Sequence, residues 1–151
     1  MQYLTFRLND VEYAVDVTIV EMVVEYSSTM AVPTPVEYMK GVMDLRGRII
    51  PVIDLRRKFG LPELEDSSRS CVIVISIENM GKDRLAVGVL VDKVSEVVAI
   101  EEDNIEATRE EGVALWERYV RGVIRLDGRM IVVIEVEGLF SIQEIDALGA
   151  A

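Results

Sequence analysis

The sequence predicts an all-β protein made of two similar barrels. The first observation is a repeat: residues 41–55 return as residues 122–136, with eight of fifteen positions identical. The second is a series of ten short alternating apolar runs separated by turn residues, a spacing typical of all-β barrels and sandwiches. The third is the scarcity of helical patterns. Together these observations indicate an internal duplication.

Each copy of the repeat predicts a β-hairpin. Two extended runs flank the dipeptide Arg46-Gly47 in the first copy and Asp127-Gly128 in the second. Glycine tolerates the positive φ that such tight turns need. A weaker similarity between residues 20–24 and 94–98 suggests that the duplication covers the whole chain.

Period-two alternation and turn residues predict the strands in order along the chain. Most connections between them are short, as in meandering all-β folds. The ten predicted strands span residues 3–8, 12–17, 20–25, 41–45, 48–54, 71–77, 85–91, 94–100, 122–126 and 130–136.

A first short helix is predicted over residues 35–40 from its flanking residues. Thr34 is a suitable N-cap, Pro35 suits the first helical position, Glu37 completes a capping box, and Gly41 suits the C-terminal end. These signals are local, and the prediction depends on them alone.

A second helical turn is predicted over residues 55–59, after Asp54 and before Gly60. The remaining stretches lack regular patterns. We expect a polar loop over residues 61–70, an irregular excursion over residues 103–117, and a short fraying helix from residue 141.

The second strand of each repeated hairpin has apolar side chains on both faces. In the first copy Ile50 and Val52 lie on one face of the strand. The other face carries Ile49, Pro51, Ile53 and Leu55. A strand of one small barrel buries a single face, so the other face must contact the sister barrel or another protein. Both alternatives stay open at this point.

Pro51 lacks the amide hydrogen of a ladder residue, which predicts a sheet edge or a bulge there.

The composition argues against an enzyme. The 151 residues include no histidine and one cysteine, Cys71, which removes histidine-based nucleophilic machinery and nearly excludes a zinc site. The glycine pattern of a phosphate-binding loop is missing, and residues 101–103 lack the ligand spacing of a calcium loop. Cys71 lies in an apolar run and is expected to be buried and inert. We therefore expect no catalytic residue, metal or cofactor.

The charge distribution predicts an acidic protein partner. The net charge of −11 repels nucleic acid, yet residues 40–58 contain six of the sixteen basic residues and only two acids. This stretch is either a positive docking face or a set of solvated charges that protect strand edges. The chain starts with an alternating run rather than a signal peptide or membrane span, so a cytoplasmic location is expected.

Three segments resemble the CheW family of bacterial chemotaxis coupling proteins. They are residues 41–55, residues 87–97 and residues 13–17, and the similarity runs in order from about residue 3 to 140. The resemblance implies two packed, five-stranded, SH3-like β-barrels with a few short helices. Barrel 1 would span residues 18–92 and face the kinase and receptor. Barrel 2 would combine residues 93–151 with residues 1–17 in the same CheW-like domain.

The resemblance also implies a non-enzymatic adaptor that couples the cytoplasmic tips of chemoreceptors to the histidine kinase CheA, through its regulatory domain. Such a protein works at receptor arrays near the inner membrane, with no nucleic acid and no direct membrane insertion. The implied receptor-binding positions are Val20, Met22, Gly41, Arg46, Gly47, Gly88, Val94 and Val97, and the implied kinase-binding positions are Ile50, Pro51 and Val52.

Two residues depart from the family pattern. Met22 stands where glutamate is common, one place after Glu21, and Asp44 stands where asparagine is usual. We expect these changes to affect the choice of receptor rather than the fold. Three alternatives are kept: a scaffold of a non-flagellar signalling array, a nucleic-acid-binding barrel, and a carboxylate hydrolase. The second needs stacking aromatics on a basic groove, and the third needs a substrate-sized pocket with two close acids.

Overall fold

The computed structural model describes residues 1–31, 33, 37–61, 70–78, 84–106, 119–135 and 139–140. Within these ranges all ten predicted strands are present, which confirms the all-β fold class. A short helix, α1, covers Leu55–Lys58, and 3-10 turns cover Val17–Ile19 and Glu102–Asn104. The strands are β1 Gln2–Leu8, β2 Val11–Asp16, β3 Val20–Glu25, β4 Met39–Leu45, β5 Arg48–Asp54, β6 Cys71–Glu78, β7 Arg84–Val91, β8 Lys93–Ala99, β9 Val120–Leu126 and β10 Arg129–Ile134.

The strands form two five-stranded sheets. Sheet A has the order β8-β1-β2-β10-β9, and sheet B has the order β3-β6-β7-β5-β4. Five consecutive strands therefore build sheet B, whereas sheet A combines the first two strands with the last three. The two repeated hairpins, β4–β5 (hairpin 1) and β9–β10 (hairpin 2), occupy the same place at one end of their sheets.

The two sheets are related element by element. In each, the second hairpin strand pairs in parallel with a strand from elsewhere in the chain: Val52 lies opposite Gly88, and Val133 lies opposite Ala14. All other named strand pairs are antiparallel. The shared strand order and the shared position of the parallel pair support the duplication inferred from the sequence.

A repeated glycine allows the chain to cross each hairpin closely. The segment at Met30 forms an antiparallel bridge with β4, and the segment at Glu106 forms one with β9, each through a pair of backbone hydrogen bonds; these are called the crossing segments here. A Cβ atom on Gly41 would overlap the carbonyl of Met30, and one on Gly122 would lie 2.5 Å from the carbonyl oxygen of Glu106. Glycine is therefore required at both positions, because any side chain would push the crossing segment away.

Three apolar clusters explain why the hairpin strands are apolar on both faces. Ile50 and Val52 belong to a cluster inside sheet B, and Ile131 and Val133 belong to one inside sheet A. The largest cluster contains side chains from both sheets, including Ile53, and is called the shared core here. The second apolar face thus packs mainly against the sister sheet, which resolves the alternative left open by the sequence.

The helix predicted over residues 35–40 is wrong over residues 37–40. Met39 and Lys40 begin β4, and residues 37 and 38 form a turn, while residues 35 and 36 lie outside the described ranges. Met39 pairs with Ile53 and is 5% exposed, and the Asp54 amide donates to the Tyr38 carbonyl at 2.8 Å. Strand pairing and burial therefore override the local capping signals.

The edge or bulge predicted at Pro51 is also wrong. Strand β5 lies between β7 and β4, and the register shift in β4 falls between Met39 and Gly41. Pro51 is opposite Val42, whose amide and carbonyl bond Met30 on the far side of β4. The pair is therefore not hydrogen-bonded. On the other side, the parallel ladder to β7 begins only at Val52, so no ladder bond is lost.

The second helical turn is confirmed as α1, with the Asp54 carboxylate accepting from the Arg56 amide at 3.0 Å as its N-cap. Cys71 begins β6 as expected but is only half-buried. Most of the predicted loop at residues 61–70, most of the excursion at 103–117 and the whole tail from residue 141 lie outside the described residues.

Candidate protein-binding surface

The turn of hairpin 1 is exposed and has a left-handed backbone. Arg46 has a φ of 53° and Gly47 has a φ of 88°, the two positive values of a type I′ turn. The Asp44 carboxylate supports the turn, because its Oδ1 atom accepts a hydrogen bond of 2.8 Å from the Gly47 amide. Both Arg46 and Gly47 are exposed. The turn therefore holds a guanidinium group in solvent.

Arg46 lacks a polar partner among the described residues. Every other arginine in the described ranges has a hydrogen bond or an ion pair, such as Arg48 with Glu21 and Arg129 with Glu96. A guanidinium group offers five donors in a planar fork that matches carboxylate and carbonyl oxygens. Arg46 is therefore the side chain of hairpin 1 best placed to bind another molecule.

Strand β3 adjoins the same turn. Arg48 Nη1 and Glu21 Oε2 are 3.2 Å apart and connect the start of β5 to β3. Val20 packs against the shared core, and Met22 packs against the inner cluster of sheet B; both are half-buried. The apolar departure at Met22 therefore contributes to packing, while Glu21 supplies the charged contact.

Strand β8 of sheet A carries two of the predicted receptor-binding residues, Val94 and Val97. Val94 is half-buried against the shared core, whereas Val97 is 50% exposed. Opposite β8, the register of β1 shifts at Thr5, whose hydroxyl bonds both the amide and the carbonyl of Glu96 at 3.1 Å. This buried hydroxyl anchors β8 beside the exposed Val97.

Two predicted receptor-binding glycines are buried rather than exposed. Gly41 lies under the crossing segment described above. Gly88 lies inside sheet B, where a Cβ atom would be 2.7 Å from Cγ1 of Val72. These positions support the surface from within, because a side chain at either would displace its neighbours.

The three predicted kinase-binding residues are also buried. Ile50 is 3% exposed, Val52 is fully buried, and Pro51 lies between them in β5. The adjacent Ile49 is 63% exposed, and its counterpart in hairpin 2, Met130, is 59% exposed. The accessible apolar contact at this part of β5 is therefore Ile49, which the sequence pattern had not distinguished from its neighbours.

The positive stretch at residues 40–58 forms a smaller positive face than its composition suggests. Arg56 is 3% exposed and lies 3.3 Å from both Asp54 and Asp92. Asp92 in turn accepts a hydrogen bond of 2.6 Å from the Asn9 amide. Arg56 thus connects α1 with the β1–β2 turn of sheet A, and its charge is neutralised internally.

One cavity of about 150 Å³ lies at an end of sheet A. Its lining includes Tyr3, whose pKa is raised because burial disfavours the phenolate, an effect that the nearby Arg121 opposes. Arg121 also lies 3.8 Å from Glu135, while Asp16 accepts a hydrogen bond of 2.9 Å from the Thr18 amide. This cavity is smaller than common ligand sites, and its acids serve local structure.

A second cavity, of about 340 Å³, is lined by Val11, Glu12 and Met130 among others. The Glu12 carboxylate is buried and lies 3.2 Å from the guanidinium group of Arg129. Glu12 is therefore held in an ion pair, and Asp10, the other acid that lines this cavity, is exposed. Within the described ranges, no cluster of acidic, cysteine or histidine side chains is arranged to hold a metal ion.

These observations define a class before a family: an all-β module of two similar five-stranded sheets that leaves one guanidinium group and several apolar side chains exposed. The model of the CheW-like domain matches residues 2–144. The chain therefore belongs to the CheW family of chemotaxis proteins, a family of non-enzymatic scaffolds, in agreement with the prediction that it is not an enzyme.

Individual relatives agree with this assignment. The chain is 34% identical to the probable chemotaxis protein CheW of Rhizobium etli, over 97% of this chain and 91% of the relative. It is 33% identical to the chemotaxis protein CheW of Klebsiella aerogenes, over 95% and 83% of the two chains. The crystal structure of the scaffolding protein TtCheW from Thermoanaerobacter tengcongensis superposes with a TM-score of 0.80 at 32% identity, covering 95% of this chain and 89% of that one. Among the described residues, no helix is both long and apolar enough to span a membrane.

Proposed function

We propose that this protein couples the cytoplasmic tips of chemoreceptors to the histidine kinase CheA in a receptor array of the cytoplasm, near the inner membrane. The observation that carries the proposal is the exposed guanidinium group of Arg46, which has no polar partner in the described part of the chain and lies on a supported type I′ turn. The protein contributes binding rather than chemistry, as expected of a family of non-enzymatic scaffolds, and in the two cavities described above Glu12 and Glu135 lie in ion pairs.

The receptor surface is proposed to combine the turn of hairpin 1 with strands β3 and β8. Arg46 would bind a carboxylate or a helix carbonyl of the receptor, as a guanidinium fork can. Support comes from the Arg48–Glu21 pair, which holds β3 beside the turn, and from the exposed Val97 on β8. Gly47 permits the turn, while the buried or half-buried members position the strands: Val20, Met22, Gly41, Gly88 and Val94.

The kinase surface is proposed to lie on β5, with Ile49 as its exposed contact. Ile50, Pro51 and Val52 would act by fixing the strand from inside the sheet, because their side chains are buried. Ile49 leaves about two-thirds of its side chain in water, and a partner that covered it would gain apolar burial.

The same proposal divides the chain into two units, residues 18–92 and residues 93–151 with 1–17. Support comes from the sheets, since every strand of sheet B lies in the first range and every strand of sheet A lies outside it. The receptor surface would then draw on both units, and the CheA contact at Ile49 on the first.

Arg46→Glu tests the receptor site. We expect it to weaken binding to a purified receptor-tip fragment by at least about tenfold, the range of an interface hot spot, while binding to the CheA regulatory domain stays within twofold. Arg125→Glu is the matched control, because it makes the same charge change on hairpin 2, where the Arg125 side chain is 72% exposed.

Ile49→Asp tests the kinase site in the same two titrations and should give the opposite pattern. Equal losses of both partners in Arg46→Glu and Ile49→Asp, or no loss in either, would reject separate receptor and kinase surfaces. Loss of receptor binding in Arg125→Glu to the same degree would indicate a general charge effect instead.

A further inference from the structure

The two repeated turns have nearly the same backbone but differ in the residue that the backbone favours. Arg46 and Gly47 have φ values of 53° and 88°, and Asp127 and Gly128 have values of 51° and 78°. The first position of a type I′ turn favours asparagine, aspartate or glycine, because other side chains are strained at positive φ. Hairpin 2 therefore has a favoured residue where hairpin 1 has a disfavoured arginine.

A side-chain hydrogen bond offsets this strain in hairpin 1. Asp44 Oδ1 accepts from the Gly47 amide at 2.8 Å, directly across the turn. The repeat places Arg125 at the corresponding position of hairpin 2, and its guanidinium group lies 3.9 Å from Glu106 instead. The bond across the turn is thus associated with the arginine-bearing copy.

The Arg46 guanidinium group has no polar partner among the described residues, although Asp44 is close to it in the chain. Asp44 and Arg46 are separated by one residue, yet they form no ion pair, and Arg46 has no other polar partner within the described ranges. The carboxylate is committed to the backbone of the turn. Its bond restricts the conformations of the turn, which reduces the ordering cost of binding through Arg46.

We infer that Asp44 is a positioning residue for Arg46, and that the chain retains a strained arginine at this turn because it binds the receptor. The inference rests on the proposed receptor site. It goes beyond that site in two ways: Asp44 affects receptor binding through Arg46, and the strained arginine that binds the receptor lowers the stability of the fold.

Thermal unfolding tests the strain. Arg46→Asn places a favoured residue at the same φ, so we expect the Tm to rise by about 2 °C while receptor binding is lost. Asp127→Arg places arginine on the hairpin 2 turn without an Asp44 equivalent, so we expect the Tm to fall by a similar amount. An unchanged or lower Tm for Arg46→Asn would overturn the claim that Arg46 is strained.

Titration of a purified receptor-tip fragment tests the positioning role. Asp44→Ala should raise the receptor Kd by about 3- to 10-fold, the size of one hydrogen bond, whereas Asp44→Asn keeps the acceptor and should stay within about twofold. In an Arg46→Ala background, Asp44→Ala should cause no further loss. A simple structural role would weaken binding in both backgrounds.

The possible failures can be distinguished. If Asp44→Ala leaves the receptor Kd unchanged while Arg46→Glu raises it, the role of Asp44 is wrong and the receptor site stands. If Asp44→Ala weakens binding equally with and without Arg46, Asp44 acts independently of it and the inference is again wrong. If Arg46→Glu leaves the receptor Kd unchanged, both the receptor site and the role of Asp44 are rejected.

Discussion

Hairpin 1 and hairpin 2 share a backbone but differ in how their charges are used. In hairpin 2, Arg129 lies 3.2 Å from Glu12 and 2.9 Å from Glu96, so its guanidinium group joins strands of its own sheet. In hairpin 1, Arg48 makes a single pair with Glu21, and Arg46 makes none among the described residues. One copy thus uses its arginines for internal structure, and the other presents one to solvent.

This difference teaches where a duplicated fold can diverge. The features needed for folding occur in both copies: the crossing glycines, the two positive φ values of each turn, and the parallel strand pair. The features that differ are a few exposed or half-exposed side chains on top of this shared frame. The contacts between the two sheets are a third kind of feature. They decide whether the exposed surfaces of the two sheets are held in a fixed arrangement.

The largest expected effect concerns the connection between the sheets. Arg56→Met leaves Asp54 and Asp92 without their buried cation, so we expect a loss of about 3 to 5 kcal/mol in the free energy of unfolding, as for a broken buried ion pair. Urea denaturation measures it. Arg57→Met is the control, since Arg57 is 39% exposed and 3.9 Å from Asp54, and it should cost less than about 1 kcal/mol. Equal effects would mean that Arg56 does not connect the sheets.

The next effect tests whether the two copies depend equally on their crossing glycines. Gly41→Ala and Gly122→Ala should each lower the free energy of unfolding by about 2 to 3 kcal/mol, because the new methyl group meets a backbone carbonyl in both. Gly41→Ala should be the worse of the two, since Gly41 also has a φ of 154°. Gly128→Ala is the control: no atom lies near its Cβ position, and only backbone strain of about 1 kcal/mol is added.

The smallest effect concerns two buried phenols of sheet A, those of Tyr3 and Tyr13. Burial raises the pKa of Tyr3 and of Tyr13 in the folded protein above their ordinary value. The neutral phenols therefore favour the folded protein fully at a pH below the unfolded tyrosine pKa of about 10. This contribution to stability is lost as the pH rises through the folded pKa. Tyr3→Phe should therefore flatten part of the fall in stability above pH 10, and Tyr13→Phe should flatten a further part. An unchanged pH dependence in urea denaturation would contradict this.

The strands were predictable because their signals are local. Period-two alternation and turn dipeptides fix each strand, and the repeat fixes the hairpins. The helix over residues 35–40 failed because the pairing of Met39 with Ile53 depends on residues fourteen positions apart. Pro51 was misplaced for a related reason, since its tolerance depends on the hydrogen bonds of Val42 with Met30.

The candidate site was predictable in part. Arg46 is a position implied by the family resemblance, and its turn dipeptide indicates exposure, but the composition of residues 40–58 does not show that Arg56 is buried. Burial of an arginine depends on acids brought from elsewhere in the chain, here Asp92. The contact of Asp44 with the Gly47 amide depends on the left-handed turn, although an acid three residues before the turn glycine is a signal that could have suggested it.

The central claim, that both copies supply structure and only hairpin 1 supplies the receptor contact, is tested most directly by exchanging the turn residues. Asp44→Arg combined with Arg46→Asp gives hairpin 1 the turn chemistry of hairpin 2. The account predicts that this variant folds, binds the CheA regulatory domain with an unchanged Kd, and binds a receptor-tip fragment at least about tenfold more weakly in isothermal titration. Unchanged receptor binding, or an equal loss of binding to CheA by a folded variant, would contradict it.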